Sequence, residues 1–192
     1  GAAGVLPVCL GRATKVAGYL LEVDKTYRAE MVLGVITDSA DGFGEVLEER
    51  RADAVSREEV ERLFRRFEGE IAQVPPMLSA VRHRGRRLYE LARRGQRVDR
   101  GPRNVKIKRL QLLSFAIPPG GRPRVLFEVN CSKGTYVRAL CSDMGLALGC
   151  GAYMSWLVRL QVGPFLLADS FTLQELRQRR DAGQFASAVL PL

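Results

Sequence analysis

The chain has 192 residues, 46% of them hydrophobic, and a formal net charge of +9 at pH 7. This length and composition fit one globular domain with a substantial core. No apolar run approaches the ~18 residues that a membrane helix needs, and the first residues lack the basic region of a signal peptide. We therefore expect a cytoplasmic protein with no membrane partner.

The cysteine and histidine content argues against metal and thiol chemistry. No Cys-x-x-Cys pair occurs, and His83 is the single histidine in the sequence. We therefore expect no metal site and no Ser-His or Cys-His catalytic pair. Of the four cysteines, Cys131 and Cys141 lie on apolar faces and are expected to be buried, reduced thiols. Any chemistry must then use carboxylate, tyrosine, lysine or arginine side chains.

The N-terminal region is predicted to form a strand and a short helix. Residues 5–10 are an apolar run typical of a buried strand, although Pro7 favours an edge position or a bulge. A short helix is expected to start at Gly11 and Thr14. Its apolar face would comprise Val16, Ala17, Leu20 and Leu21.

A second strand is predicted over residues 25–33, because hydrophobic and polar residues alternate there. Tyr27 lies near its start, and taken alone this tyrosine is a core or interface aromatic. The following loop, residues 38–44, is rich in turn-forming residues. We interpret Asp38 and Asp41 as turn formers rather than as a carboxylate pair.

An amphipathic helix is predicted to begin after Ser56. Ser56 and Glu59 have the spacing of a capping box, and Gly69 stands where a glycine commonly ends a helix. The buried stripe would comprise Val60, Leu63, Phe64 and Phe67.

Positive charge is concentrated between Arg82 and Arg109, where twelve Lys and Arg residues accompany only two acidic residues. This local excess of +10 is larger than the net charge of the whole chain. Such a concentration indicates a polyanion partner, and a solvated basic surface is the alternative. Scarce apolar residues predict a mobile segment that a partner must order. A short apolar helix face is expected at Leu88, Tyr89, Leu91 and Ala92.

A strand-to-helix junction follows Cys131. Residues 105–115 and 125–131 are predicted to form two strands of a hairpin, and a helix with an apolar stripe follows from Val137. At the junction, Lys133, Tyr136 and Arg138 are expected to cluster. A helix N-terminus suits an anionic group, whereas a solvated turn capped by Thr135 is the alternative.

The order of these elements predicts the fold class. A last helix is expected at residues 171–180 with Thr172 as its cap. Strands and helices occur in clusters rather than in strict alternation, which favours an α+β fold with a mixed, largely antiparallel sheet flanked by helices. We expect Tyr27 and the junction at residues 133–138 to share one cleft.

Five stretches, taken in order, resemble the TruB family, the tRNA pseudouridine synthases that modify a T-loop uridine. They are Asp24–Glu30, Gly69–Ala80, Arg87–Arg93, Ser132–Arg138 and Val162–Phe165. The resemblance implies the pseudouridine synthase fold, tRNA with its T-stem-loop as the partner, no cofactor and a monomer. It also implies that residues 1–176 form the catalytic domain, that residues 82–103 form a loop closing over RNA, and that residues 177–192 begin a C-terminal extension.

The resemblance also implies roles for individual residues. Tyr27 matches the residue that stacks on the flipped base, Arg138 matches the partner of the family's essential aspartate, and Tyr136 and Leu157 match pocket-lining residues. The matches implied to contact RNA are Lys133, Arg159, Arg82, Arg84, Arg86, Arg87, Arg93 and Arg94.

The sequence departs from the family pattern in two places. The aspartate would fall before residue 1, so we expect residues 1–192 alone to be inactive, and we expect none of their carboxylates to replace it. Val158 and Leu160 also differ from the family residues, which leaves their roles open. Two alternatives remain, a catalytically silent RNA-binding or tRNA-folding module and a relative that depends on a guide RNA. A basic ribosome-associated structural protein is a third, less specific alternative.

Overall fold

The computed structural model describes residues 2–96 and 98–190. Some of the ranges predicted above include Gly1, Arg97, Pro191 or Leu192, and these four residues lie outside the described residues. The α-helices are α1 (Ala17–Glu22), α2 (Arg57–Phe67), α3 (Leu88–Ala92), α4 (Val137–Ala147) and α5 (Leu173–Asp181). The strands are β1 (Ala2–Gly4), β2 (Lys25–Leu33), β3 (Val35–Thr37), β4 (Val46–Glu49), β5 (Gly69–Gln73), β6 (Arg82–His83), β7 (Arg86–Arg87), β8 (Arg103–Ala116), β9 (Arg124–Cys131), β10 (Ala152–Val162) and β11 (Phe165–Leu166). Short 3-10 helices cover Gly11–Val16, Leu167–Asp169 and Phe185–Ala188.

One large sheet organises the described residues, with the strand order β1-β10-β2-β9-β8-β5 and with β11 paired to β10. Strand β1 runs parallel to β10. The pairs β10–β2, β2–β9, β9–β8 and β8–β5 are antiparallel. The predicted α+β fold with a mixed, largely antiparallel sheet is therefore confirmed.

The core lies between this sheet and helices α2 and α4. In strand β2, Ala29, Met31 and Leu33 are fully buried, as the predicted alternation requires, and Val32 on the other face is buried as well. On its opposite face, Arg28 forms an ion pair with Glu128 of β9 at 2.8 Å. One face of the sheet is thus apolar and covered by helices, whereas the other carries charged pairs.

Helices α2, α4 and α5 form where the sequence predicts them. The capping box of α2 is present, because the Glu59 N–H donates to Ser56 Oγ at 3.2 Å and the Ser56 N–H donates to Glu59 Oε2 at 2.8 Å. Thr172 caps α5 in the same way. Cys131 and Cys141 are fully buried free thiols, as expected.

The predicted strand at residues 5–10 is wrong, because β1 ends earlier. Gly4, the last residue of β1, has a φ of +122°, a conformation that interrupts an extended strand and favours glycine. Pro7 then has no N–H with which to extend the ladder. Leu6 and Val8 are consequently exposed.

The helical region after this segment also differs from its prediction. It is a 3-10 helix followed by α1, and neither contains a buried residue. The predicted apolar face is therefore not part of the hydrophobic core, whose helical residues come from α2 and α4. The residues concerned are Val16, Ala17, Leu20 and Leu21.

Within residues 82–103, hereafter the basic segment, the hairpin β6–β7 is followed by α3. Arg84 and Gly85 both have positive φ, +49° and +83°, as a two-residue hairpin turn requires. Leu88 and Leu91 are buried and anchor the segment. Its ordering by RNA stays a prediction. Among the described residues no helix is long and apolar enough to cross a membrane.

Candidate active site

A cleft of about 430 Å³ opens where β2 and β10 meet the N-terminal end of α4 and the loop of residues 38–44. It is lined by Tyr27, Asp41, Phe43, Thr135, Tyr136, Val137, Arg138, Met154, Ser155 and Leu157. The structure thus brings together the four predicted site residues Tyr27, Tyr136, Arg138 and Leu157. The expected proximity of Tyr27 to the strand-to-helix junction is present, and an acidic residue that was not predicted joins them.

That acidic residue, Asp41, forms an ion pair with Arg138. The Arg138 Nη1 atom lies 3.0 Å from Asp41 Oδ2. The two side chains are only 19% and 16% exposed, respectively. A charge-assisted hydrogen bond with so little solvent around it holds both groups in defined positions.

The Asp41 carboxylate is engaged on both oxygens. Its Oδ1 atom accepts hydrogen bonds from Ser39 Oγ at 2.7 Å and from the Phe43 N–H at 3.1 Å. Burial alone would raise the pKa of Asp41, but these hydrogen bonds and the Arg138 guanidinium outweigh it, so the pKa lies below its ordinary value. Asp41 forms the turn, as interpreted from the sequence, and in addition it faces the cleft.

Arg138 connects the Asp41 loop to the approach of the basic segment. Its Nη2 atom donates to the Leu78 carbonyl at 2.8 Å, while Nη1 also lies 3.4 Å from the Ser39 carbonyl. Leu78 precedes Ser79, whose carbonyl accepts from the Tyr89 N–H of α3 at 3.1 Å. One guanidinium therefore lies between the cleft and the segment predicted to contact RNA.

Tyr27 contributes an aromatic ring near the start of β2, where it pairs with Val129 of β9 and Arg159 of β10. Its ring packs partly against the core and partly into the cleft. Burial raises the pKa of the Tyr27 hydroxyl, although the Arg159 guanidinium acts in the opposite sense. The hydroxyl is therefore neutral at pH 7 and can donate or accept a hydrogen bond.

The junction residues do not all reach the cleft. Lys133 forms an exposed ion pair with Glu22 and is not a lining residue, so the expected cluster of three is divided. Thr135 Oγ1 donates to the Ser132 carbonyl at 2.9 Å, and α4 has Tyr136 as its N-cap without a side-chain cap. The proposed Thr135 cap is therefore wrong.

Arg159 and the described arginines of the basic segment are not among the lining residues of the cleft. Arg159 Nε donates to the Val5 carbonyl at 2.8 Å, which fixes the guanidinium beside Tyr27. The six predicted RNA-contacting arginines of the basic segment are exposed: Arg82, Arg84, Arg86, Arg87, Arg93 and Arg94. Tyr89 has Arg93 and Arg87 near its ring, at 5.5 and 5.9 Å from the ring centroid.

Gln73 is a second residue that was not predicted, and it lies behind the cleft lining. It ends β5, is 1% exposed and bonds to the backbone of Tyr136. A signal existed, because the alternation of β5 places Gln73 on the inward face with Ile71. The signal for Asp41 was weaker, since an aspartate in a turn-rich loop is usually explained by the turn.

Comparisons with known proteins identify the family of the chain. Residues 1–137 match the family model "TruB family pseudouridylate synthase (N terminal domain)", and residues 138–192 match "tRNA pseudouridylate synthase B C-terminal domain". Strand β10 of the second range lies between β1 and β2 of the first, so both ranges share one sheet.

Individual relatives carry the same name. The chain is 56% identical over 92% of its length to tRNA pseudouridine synthase B of Symbiobacterium thermophilum, covering 58% of that protein. It is 47% identical over its whole length to the protein of that name from Pelotomaculum thermopropionicum, covering 61% of it. The chain thus spans about three fifths of the length of these relatives.

Solved structures show the same fold. A chain in the crystal structure of a Cbf5–Nop10–Gar1 complex matches with a TM-score of 0.71 and 33% identity, over 99% of this chain and 48% of that one. The two family models together span the whole sequence. The two relatives are 56% and 47% identical to the chain. The chain therefore belongs to the TruB family of pseudouridylate synthases.

Proposed function

We propose that this chain is the larger part of a tRNA pseudouridine synthase that isomerises a T-loop uridine. The observation that carries the proposal is the placement of the Tyr27 ring and the Asp41–Arg138 ion pair in one cleft. The curated relatives named tRNA pseudouridine synthase B support tRNA as the substrate.

The reaction sets three demands on the protein: a surface that holds the flipped base, a carboxylate oriented at C1′, and contacts to the RNA backbone. The bond from ribose C1′ to N1 of uracil breaks, the base turns, and C1′ bonds to C5, from which a proton is lost while N1 gains one. No electrons are gained or lost overall, so no redox cofactor is required. The nucleotide must leave the RNA stack, which costs a few kcal/mol.

Tyr27 fits the demand for a surface that holds the base. Stacking on an aromatic ring returns ~1–3 kcal/mol per base, which offsets the cost of flipping. The neutral Tyr27 hydroxyl could assist removal of the C5 proton. Tyr136 and Leu157 would close the pocket around the base, and their positions in the lining support this role.

Arg138 fits the demand for an oriented carboxylate at C1′. Among the described lining residues the carboxylate is Asp41, and both of its oxygens already accept hydrogen bonds, which weakens it as a nucleophile. We therefore keep the expectation that the nucleophilic aspartate lies outside residues 1–192. Asp41 would hold Arg138 in position to orient that aspartate.

The basic segment fits the demand for contacts to the RNA backbone. Its six predicted RNA-contacting arginines are all exposed and can neutralise phosphates without entering the cleft. The Leu78 carbonyl, just before this segment, accepts a hydrogen bond from Arg138. Lys133 and Arg159 would contribute a phosphate contact and a pocket contact, respectively. Residues 82–103 would then close over the bound stem-loop.

A tritium-release assay on T-stem-loop RNA labelled at uracil C5 tests this function. The full-length protein containing this chain should release tritium from the T-loop uridine of RNA alone, without guide RNA or added proteins. Release only in the presence of a guide RNA would indicate the guide-dependent alternative. Tight binding of the stem-loop without release by the full-length protein would indicate a silent RNA-binding module.

A further inference from the structure

We propose that Gln73 is a positioning residue that holds the Tyr136 peptide, and through it Arg138, in the geometry of the cleft. The contact belongs to the described structure, while its consequence for catalysis rests on the proposed function. Gln73 does not line the cleft and touches no reacting atom. It acts through the backbone of a residue that does line it.

The contact is reciprocal. The Tyr136 N–H donates to Gln73 Oε1 at 3.1 Å, and Gln73 Nε2 donates to the Tyr136 carbonyl at 3.4 Å. A primary amide carries an acceptor and a donor side by side, which a carboxylate or an apolar side chain does not. At 1% exposure, no water replaces either bond freely, so loss of the amide leaves buried polar groups unpaired.

Tyr136 is the point at which this contact controls the helix. It is the N-cap of α4, and no side chain caps the helix there. Its carbonyl accepts the Leu140 N–H at 3.0 Å in the first turn of α4. Gln73, 63 residues away in the sequence, therefore fixes the start of the helix whose second residue is Arg138.

The connector after Gln73 is tied to α4 a second time. It runs through Pro75 and Pro76, whose rings restrict the backbone, to Leu78, whose carbonyl accepts from Arg138 Nη2 at 2.8 Å. The two contacts bracket the connector, one on the helix backbone and one on the arginine. Loss of the Gln73 contacts would therefore loosen both Tyr136, which lines the cleft, and the Leu78 carbonyl that accepts from Arg138.

The first test measures the contact without relying on activity. In the full-length protein, hydrogen exchange of the Tyr136 amide should be at least ~10-fold faster in Gln73→Met than in the unmodified protein, since the N–H loses its acceptor. Gln161→Met is the matched control, because it removes an amide bonded to Thr26 and to the Gly163 carbonyl on the same sheet. Unchanged exchange at Tyr136 would overturn the proposed contact.

The second test measures its consequence in the active full-length protein. Gln73→Met should lower the single-turnover rate ~10–100-fold, since small misplacements of positioned groups cost rates of that order, while the Kd for the stem-loop changes less than about 2-fold. Gln161→Met should change neither quantity. A normal rate in Gln73→Met despite fast Tyr136 exchange would overturn the catalytic role.

Gln73→Glu supplies a readout that general destabilisation does not move. A protonated glutamic acid can donate to the Tyr136 carbonyl, whereas a carboxylate cannot, and burial favours the protonated form. The ratio of the variant rate to the normal rate should therefore rise as the pH falls from 8 to 6. A flat ratio would count against the reciprocal contact. If the unmodified full-length protein isomerises no RNA, the proposed function fails and the exchange test still decides the contact.

Discussion

The Arg138 guanidinium lies 3.0 Å from the Asp41 carboxylate although 97 residues separate them in the sequence. Both side chains are largely buried. Breaking a fully buried pair by removing one partner costs ~3–5 kcal/mol, and less where water can enter. The pair therefore stabilises the approach of the Asp41 loop to α4, and it orients the guanidinium in the cleft.

Asp41→Asn should preserve the shape of this contact while removing its charge. In the full-length protein we expect the single-turnover rate to fall at least ~10-fold, in the range seen when a positioned group is misplaced, with RNA affinity unchanged. Asp53→Asn, at an exposed pair with Arg51, is the control and should alter neither quantity. A normal rate in Asp41→Asn would show that Asp41 has no role in catalysis.

The pH dependence of stability gives a separate check on the same pair. The folded-state pKa of Asp41 is below its ordinary value of 3.8, so the pair contributes stability that is fully present above about that pH. The contribution is lost as the pH falls through the lower, folded pKa. Thermal unfolding should therefore show Asp41→Asn less stable at pH 7, with the difference shrinking below pH ~4. A difference independent of pH would argue against an ionised Asp41.

Substitutions at Tyr27 should separate stacking from proton transfer. Tyr27→Phe keeps the ring, so binding of T-stem-loop RNA should be retained while turnover falls. Tyr27→Ala should also weaken binding, by ~5-fold or more, as expected for loss of one stacked base. Tyr19, which is 74% exposed, provides the control Tyr19→Ala. Equal, small effects of both Tyr27 substitutions would make Tyr27 a core aromatic.

The sequence predicted those features that depend on neighbouring residues. The alternation of β2 and the Ser56 capping box are local patterns, and both appear in the structure. The Asp41–Arg138 and Gln73–Tyr136 contacts join residues 97 and 63 positions apart, and no local pattern encodes such pairs. The resemblance predicted Arg138 as the partner of an aspartate but could not indicate Asp41.

The failed predictions at the N-terminus have a related cause. An apolar run shows that residues could be buried, but it does not show whether a partner strand remains beside them. After Gly4 the ladder with β10 stops, and Pro7 cannot renew it. Periodicity therefore predicted a strand that its hydrogen bonds could not complete.

The basic segment should give RNA binding a steep salt dependence. With ~6 phosphate contacts, affinity should fall ~10³-fold between 50 and 200 mM salt. Replacing Arg84, Arg86 and Arg87 with alanine should flatten the slope by about 2–3 units, since each lost phosphate contact contributes just under one.

The matched control for this slope removes three exposed arginines from α2, namely Arg62, Arg65 and Arg66. It changes the net charge by the same amount but leaves the basic segment intact. Filter binding at several salt concentrations compares the two triple variants. Equal slopes would mean that the basic segment is only a solvated surface.

Asp143 should make the protein less stable as the pH rises. Burial raises the pKa of this α4 carboxyl from 3.8 to about 6. With respect to this group, the free energy of unfolding is therefore largest below pH 3.8 and decreases as the pH rises to about 6. Asp143→Asn should raise Tm at pH 8 by ~2–4 °C, corresponding to ~1 kcal/mol after discounting for partial solvent screening. No change is expected near pH 4. Equal gains at both pH values would exclude ionisation as the cause.

Residues 1–192 alone should bind T-stem-loop RNA without isomerising it. By the proposed function, binding depends on the Tyr27 ring and on the exposed arginines of the basic segment, whereas catalysis also depends on a carboxylate free to approach C1′. Asp41 is held by Ser39, Phe43 and Arg138, and moving it to C1′ would break the ion pair that positions the arginine.

The decisive comparison uses three preparations in the tritium-release assay: residues 1–192, the full-length protein, and the full-length protein with asparagine in place of the upstream aspartate. All three should bind the stem-loop, and only the unmodified full-length protein should release tritium. Release by residues 1–192, in a preparation shown by mass to lack any upstream segment, would falsify the external nucleophile. Asp41 would then become the first candidate, because it is the carboxylate among the described lining residues of the cleft, and Asp41→Asn in that short chain would abolish the activity.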